Sequence, residues 1–305
     1  MSQLDIHSAA TGMSSSDDNS TRPVRRRSIP ASWISPLLTV PALTTLTLFF
    51  AIPIAIVIVM SFTDPQAGFE NYAWLFTTPL IGKAAINTFF ISFAVTLVCL
   101  AMAYPYAYLM TIVSDRTRSV MTMLIMIPLW SSILIRTLAW VVLLQDSGPI
   151  NDALVAVGLE PMQLIRTPLG IVIGMSQVLL PFMVMPLYSA LSRIDVRLVT
   201  AAKSLGASPT RAFFEVYLPL SKQGIFSGSL TVFILALGFY IVPSLLGSPQ
   251  DTMLSAMIQM QVSGFLAWGR GSALGVVLLM STLIALLFAS RLTKGKKNRL
   301  GGTTR

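Results

Sequence analysis

Apolar residues fill most of the chain in long runs, without the alternation of a half-buried strand or the single stripe of a soluble amphipathic helix. Six runs stand out, at residues 37–62, 84–110, 119–144, 169–190, 223–246 and 268–290. A bilayer is crossed by roughly 20 apolar residues in an α-helix, so each run is long enough to span it. The pattern predicts an all-α membrane protein with about six transmembrane helices. Pro41, Pro53, Pro105, Pro128, Pro181, Pro186 and Pro243 fall inside the runs. Neighbouring helices in a bundle can satisfy the backbone groups that such prolines free. The polar sequence divides the rest: a tail at 1–30, a helical membrane domain at 31–290 and a second tail at 291–305. Within the domain, 191–222 is the longest of the inner connections and 145–168 the longest outer one. Gly148-Pro149, Asp152 and Pro161 predict turns around a short helix from Asn151 to Val157 in the outer connection.

Composition agrees with this reading. The mean hydropathy is +0.75, and 11% of residues are charged, against roughly 25% in soluble domains. The net charge of +9 would suggest nucleic acid in a soluble protein, but here the position of the charges matters more. Four arginines close the first tail (Arg22, Arg25, Arg26, Arg27), and Arg116 and Arg118 lie in the second loop. Five more basic residues lie in the fourth loop (Arg193, Arg197, Lys203, Arg211, Lys222), and six from Arg291 onward. Only Lys83, Arg136, Arg166 and Arg270 are left for the outer side. The positive-inside rule therefore puts both termini in the cytoplasm. The tail at 1–30 has a disordered composition, and its arginines need do no more than enforce topology. The first run is too long for a signal-peptide core and lacks a cleavage site, so it is expected to remain as a span. Trp33, Trp74, Trp130, Trp140 and Trp268 lie at or near span ends, as in an interfacial belt. One cysteine (Cys99) and one histidine (His7) leave no disulfide, no metal cluster and no nucleophile–histidine pair within a span. No cofactor or metal is expected.

The fourth loop carries the most specific pattern. Asp195 to Leu205 is helix-compatible, and Gly206 can take the left-handed conformation that ends a helix. Ser208 can cap a second helix with Pro209 at its first position, and Leu218-Pro219 is expected to interrupt that helix before the next span. Leu198, Ala201, Ala202 and Leu205 fall on one face, with small residues where another surface can approach. The order Thr200-Ala201-Ala202, three residues, Gly206, nine residues, Val216, one residue, Leu218-Pro219 resembles the cytoplasmic loop of importer-type ABC permeases. There the pattern reads Glu-Ala-Ala-x3-Gly-x9-Ile-x-Leu-Pro, so this chain departs from it at Thr200 and Val216. An amphipathic helix lying on the membrane surface is the alternative reading of the loop.

The resemblance implies a type I ABC importer permease fold and makes the loop a coupling helix seated in a groove of an ATP-hydrolysing partner. Thr200, Ala201, Ala202, Leu205, Gly206, Leu218 and Pro219 would form it, with Thr200 unable to make the ion pair open to the family's glutamate. Pro128-Leu129-Trp130, Leu134-Ile135-Arg136, the stretch Leu180 to Tyr188, and Trp268-Gly269 with Gly271-Ser272-Ala273 resemble the spermidine/putrescine subgroup. That resemblance implies a dimer of ATP-binding subunits, a second homologous permease and a periplasmic substrate-binding protein as partners, besides membrane lipid. The implied solute is a polyamine, with 4-aminobutyrate or an opine as alternatives. No Gly-x4-Gly-Lys-Ser/Thr loop occurs, so ATP hydrolysis must come from a partner and the chain is not an enzyme by itself. A secondary transporter would need ionisable groups at span centres, and these runs hold none there.

Candidates for the solute path are few. Arg136, near the outer third of the third run, can make a gate contact, an ion pair or an ordinary helix-bundle contact; Asp146 is its possible partner or a solvated loop acid. Phe239 and Tyr240, between Gly238 and Pro243, offer aromatic faces to an ammonium group, with core packing as the alternative. Tyr104, Tyr106 and Tyr108 are weaker candidates of the same kind.

Overall fold

A computed structural model describes residues 40, 41 and 43–294. The arginine-rich first tail, Trp33 and the basic residues beyond Lys294 lie outside the described residues. The chain divides into two compact units, residues 1–52 and 53–305, and the division falls within the first helix. In the first unit the described residues are helical, with a π-helical turn at Thr47–Ala51, and present exposed leucines and phenylalanines.

The helices, in chain order, are α1 (Leu43–Thr63), α2 (Glu70–Thr77), α3 (Pro79–Ile112), α4 (Asp115–Met126), α5 (Ile133–Leu143) and α6 (Pro149–Ala156). They continue with α7 (Pro168–Leu191), α8 (Val196–Ser204), α9 (Pro209–Leu237), α10 (Ile241–Leu246), α11 (Leu254–Gln259) and α12 (Trp268–Lys294). No strand occurs among the described residues. Five helices (α1, α3, α7, α9 and α12) are long and apolar enough to cross a membrane. The predicted third span is not one helix. It is α4, a 3-10 turn at Ile127–Trp130, and α5, with a bend of 94° between the two parts. Pro128 lacks the N–H of a continuing helix and its ring crowds the carbonyl one turn back. Ser131 and Ser132 then take extended backbone angles, and the Ser131 hydroxyl donates to the Pro128 carbonyl.

The core is a bundle of α3, α7 and α9. Along α3, Ile91, Val95, Cys99, Ala103 and Ala107 recur every four residues and are buried against Met175, Leu179, Met183 and Leu187 of α7. Helix association in a bilayer depends on close packing, because lipid is as apolar as leucine. Gly224 and Gly228 of α9 provide the closeness: a Cβ at Gly224 would lie 2.6 Å from the Ala190 Cβ, and one at Gly228 would lie 2.8 Å from the Met183 sulfur. A smaller cluster joins Leu75, Ile81, Leu254, Met257 and Leu274. At its edge the Gly269 N–H donates to Asp64, and the Arg270 guanidinium stacks 4.8 Å from the Trp74 ring centre.

Leu218-Pro219 does not break its helix. Helix α9 runs on through it by a π-helical turn at Phe213–Tyr217, where the Leu218 N–H bonds to the Phe213 carbonyl five residues back. The wider turn admits Pro219, which in α-register would lack a hydrogen bond and collide with the carbonyl four residues back. The predicted short outer helix is α6, and the final helix continues past residue 290 to Lys294.

Candidate functional site: the loop between α7 and α9

Every element of this loop is fixed by local chemistry. The Asp195 carboxylate accepts the Arg197 N–H at 2.9 Å and starts α8. The helix stops at Leu205 because Gly206 takes φ of +94°, a left-handed conformation that costs a side-chain-bearing residue about 1–2 kcal/mol. The Gly206 N–H bonds the Lys203 carbonyl and the Ala207 N–H bonds the Ala202 carbonyl, which is the paired closure of a Schellman turn. The Ser208 hydroxyl then accepts the Arg211 N–H, with Pro209 at the first position of α9. Helix, left-handed glycine, cap and second helix follow the order expected from the sequence.

The loop presents apolar surface that nothing in the described chain covers. Leu205 is 90% exposed, Leu198 50% and Val196 68%, and Thr200 and Ala201 are exposed beside them. Burying a leucine is worth about 1.5–3 kcal/mol, so covering this ridge would be stabilising. The Thr200 hydroxyl donates back to the Val196 carbonyl, and no ion pair forms there.

Behind the ridge, aromatic rings tie the π-turn to the end of α3. Phe213 stacks on Tyr217 with ring centres 5.7 Å apart, and Tyr108 meets both edge-on at 5.8 and 5.2 Å. Tyr104 approaches Phe213 at 6.1 Å and pairs its hydroxyl with Ser221. Tyr106 donates to the Met121 carbonyl of α4. Tyr104 and Tyr108 thus pack between loop and bundle, and Tyr106 ties α3 to α4. The clamp was not foreseen from sequence, though the density of rings at Phe213, Phe214 and Tyr217 was its visible signal.

No hydrogen bond, ion pair or ring contact joins Arg136 or Asp146 to Phe239 or Tyr240 among the described residues. Phe239 packs against the core and its carbonyl accepts the Ser255 hydroxyl at 2.6 Å, while Tyr240 is exposed at the break between α9 and α10. Arg136 is half-buried one turn into α5. Its Nη2 reaches the Ser131 carbonyl at 3.4 Å, and its Nε and Nη1 are buried without an acceptor. Asp146 is exposed and makes no ion pair with it. No group of three or more potential metal ligands occurs among the described residues.

The described chain is thus a bundle of long apolar helices with an exposed apolar ridge on the loop between α7 and α9. The chain belongs to the family of binding-protein-dependent transport system inner membrane components, whose pattern matches residues 104–294. It is a transport subunit of the inner membrane and not itself an enzyme. It is 33% identical over 267 residues to the spermidine/putrescine transport system permease protein PotB of Haemophilus influenzae, covering 84% of this chain and 93% of that protein. The PotB protein of Escherichia coli is 32% identical over 264 residues, covering 82% and 96%. The inner membrane ABC transporter permease protein YdcU of Escherichia coli is 30% identical, covering 75% and 77%. The fold is that of a bacterial alginate ABC transporter in complex with its alginate pentasaccharide-bound periplasmic protein. That chain has a TM-score of 0.70 and 20% identity, with 86% of this chain and 94% of that chain covered.

Proposed function

We propose that the chain forms half of the path for a polyamine of the putrescine/spermidine class, delivered by a periplasmic binding protein. The observation that carries this reading is the exposed α8 ridge, held in an importer-type loop on a chain 33% identical over 267 residues to a spermidine/putrescine permease. A second, homologous permease completes the path, and two ATP-binding subunits seat on the coupling loops from the cytoplasmic side. Closure of the ATP-bound dimer moves α8. The Schellman turn and the aromatic clamp pass that movement to α9 and α3, which rock between outward-open and inward-open arrangements. Residues Thr200, Ala201, Ala202, Leu205 and Gly206 form the docking core, and Leu218-Pro219 with the π-turn join it to the span.

The test is ATP hydrolysis by the complex assembled in nanodiscs with its ATP-binding subunits, sister permease and binding protein. Spermidine and putrescine are compared with 4-aminobutyrate and an opine. Stimulation by the polyamine-loaded binding protein alone is expected. Stimulation only by 4-aminobutyrate or the opine would overturn the polyamine assignment, and transport indifferent to ATP would overturn the importer reading.

A further inference from the structure

Helix α9 has two unlike faces. Gln223, Ser227 and Thr231 recur every four residues as an exposed polar stripe, while Lys222, Phe226, Leu230 and Phe233 follow at helical spacing on another side. The second face borders a cavity of about 670 Å³ between α3, α9 and α12, within the roughly 300–1,000 Å³ of sites that hold a small molecule. Phe89 and Phe93 of α3, Phe226 and Phe233 of α9 and Phe288 of α12 form its walls. Phe93 and Phe288 are exposed, so the cavity is a groove open at the side of the bundle. The Thr96 and Ser281 hydroxyls in its lining donate to the Ser92 and Leu278 carbonyls of their own helices, which leaves a surface suited to hydrocarbon. Two cations stand at one end. Lys222 lies one turn before Phe226 on α9, and Arg291 lies three residues after Phe288 on α12; both are exposed, and neither forms an ion pair among the described residues. They share the loop end of the bundle. Helix α12 starts beside the start of α3, where Leu274 packs with Ile81, and α3 ends beside the start of α9, where Tyr104 meets Phe213. A helix rises about 1.5 Å per residue, so Lys222 to Phe233 covers about 16 Å and Ser281 to Arg291 about 15 Å. Each is close to half of the ~30 Å hydrocarbon core. The groove thus has the length of one leaflet, with its charges at headgroup level.

We infer that the groove binds one anionic phospholipid of the leaflet next to the coupling loop, with an acyl chain against the phenylalanines and the phosphate between Lys222 and Arg291. That leaflet is the cytoplasmic one on the importer reading above, but the site itself rests on the groove and its two cations. A lysine and an arginine without an ion-pair partner match a headgroup of net negative charge, whereas a zwitterionic headgroup brings an ammonium group that they repel. Basic positions between spanning helices hold anionic headgroups in the same way. A helix of a sister permease suits the groove less, because close packing of helices in a membrane uses small side chains, and five rings with two long cations hold a backbone off. Lys222 and Phe226 follow the π-turn at Phe213–Tyr217 on the same helix. A chain held between α9 and α12 limits how far α9 moves when α8 does, so headgroup charge tunes the coupling of ATP hydrolysis to transport.

The test uses the full complex in nanodiscs of phosphatidylethanolamine, with and without added phosphatidylglycerol. Each lipid is also supplied as an analogue with a photoreactive diazirine in one acyl chain, and labelled peptides are read by mass spectrometry. The phosphatidylglycerol analogue should label Phe226 to Phe233 and Ile284 to Phe288 about tenfold more than the phosphatidylethanolamine analogue. The preference should vanish in the double variant Lys222→Gln with Arg291→Gln. It should persist in Lys222→Arg with Arg291→Lys, which keeps both charges and controls for folding. Binding-protein-stimulated hydrolysis should rise several-fold with phosphatidylglycerol in the unsubstituted complex and not in the neutral double variant. Equal labelling by the two lipids would overturn the site, since the cations then reach for any headgroup. So would a preference unchanged in the neutral variant, or a groove shielded from both lipids by the sister permease. Equal labelling in a complex that responds to its binding protein sinks the lipid site alone. Preferential labelling in a complex whose hydrolysis ignores the binding protein sustains the site and sinks the importer reading.

Discussion

Gly206 shows how a single residue shapes the exposed loop between α7 and α9. Its φ of +94° closes the Schellman turn, and a Cβ there would meet no other atom within 4 Å, so any substitution penalty is conformational rather than steric. Gly206→Ala should lower binding-protein-stimulated ATP hydrolysis several-fold, in keeping with the roughly 1–2 kcal/mol cost of left-handed backbone. Gly206→Asn should recover most of that loss, since asparagine tolerates the conformation. Equal loss in both variants would mean that the glycine is needed for a close approach of the partner and not for its backbone angle. This residue was legible from its position after a helix-compatible run. Gly224 and Gly228 were not singled out, because their role depends on the side chains of α7 that face them, and no periodicity within α9 announces those.

At the scale of elements, the two prolines that matter behaved differently from one another. Pro219 is absorbed by the π-turn of α9, whereas the third span breaks after Pro128. Sequence marks both as sites of stress but does not say how the stress is relieved. That depends on whether a neighbour holds the next turn in place. The turn before Pro219 is held by Tyr104 and Tyr108, which pack on Phe213; after Pro128, Ser131 is extended and α5 turns away. Phe213→Ala removes the ring shared by Tyr104, Tyr108 and Tyr217 from the clamp, and large-to-small changes of this kind cost up to about 3–5 kcal/mol when fully buried. Because Phe213 is only half-buried, the bundle should still assemble. Transport per ATP hydrolysed should fall about tenfold, read as solute uptake and phosphate release in the same proteoliposomes. Unchanged stoichiometry would show that the clamp is packing alone.

At the scale of the whole molecule, the helical class and the five or six long apolar helices were legible because they follow from the thickness of a bilayer, which needs no tertiary contact. The solute path was less so. Arg136, Asp146, Phe239 and Tyr240 were selected by residue type, and among the described residues no hydrogen bond or ion pair joins the first two to the last two; the exposed stripe at Gln223, Ser227 and Thr231 became visible only once α9 was seen against α7. Polar residues within an apolar run give no sign of which side they face until the helix is packed.

The central claim is that the α8 ridge seats on an ATP-hydrolysing subunit, and site-directed cross-linking tests it most directly. Leu205→Cys, labelled in the assembled complex with a maleimide–benzophenone that inserts into neighbouring C–H bonds on irradiation, should give a product containing this chain and the ATP-binding subunit, with a yield that changes between nucleotide-free and vanadate-trapped states. A cross-link formed only to the sister permease or to lipid, or none at all in a complex that still hydrolyses ATP in response to its binding protein, would contradict the account.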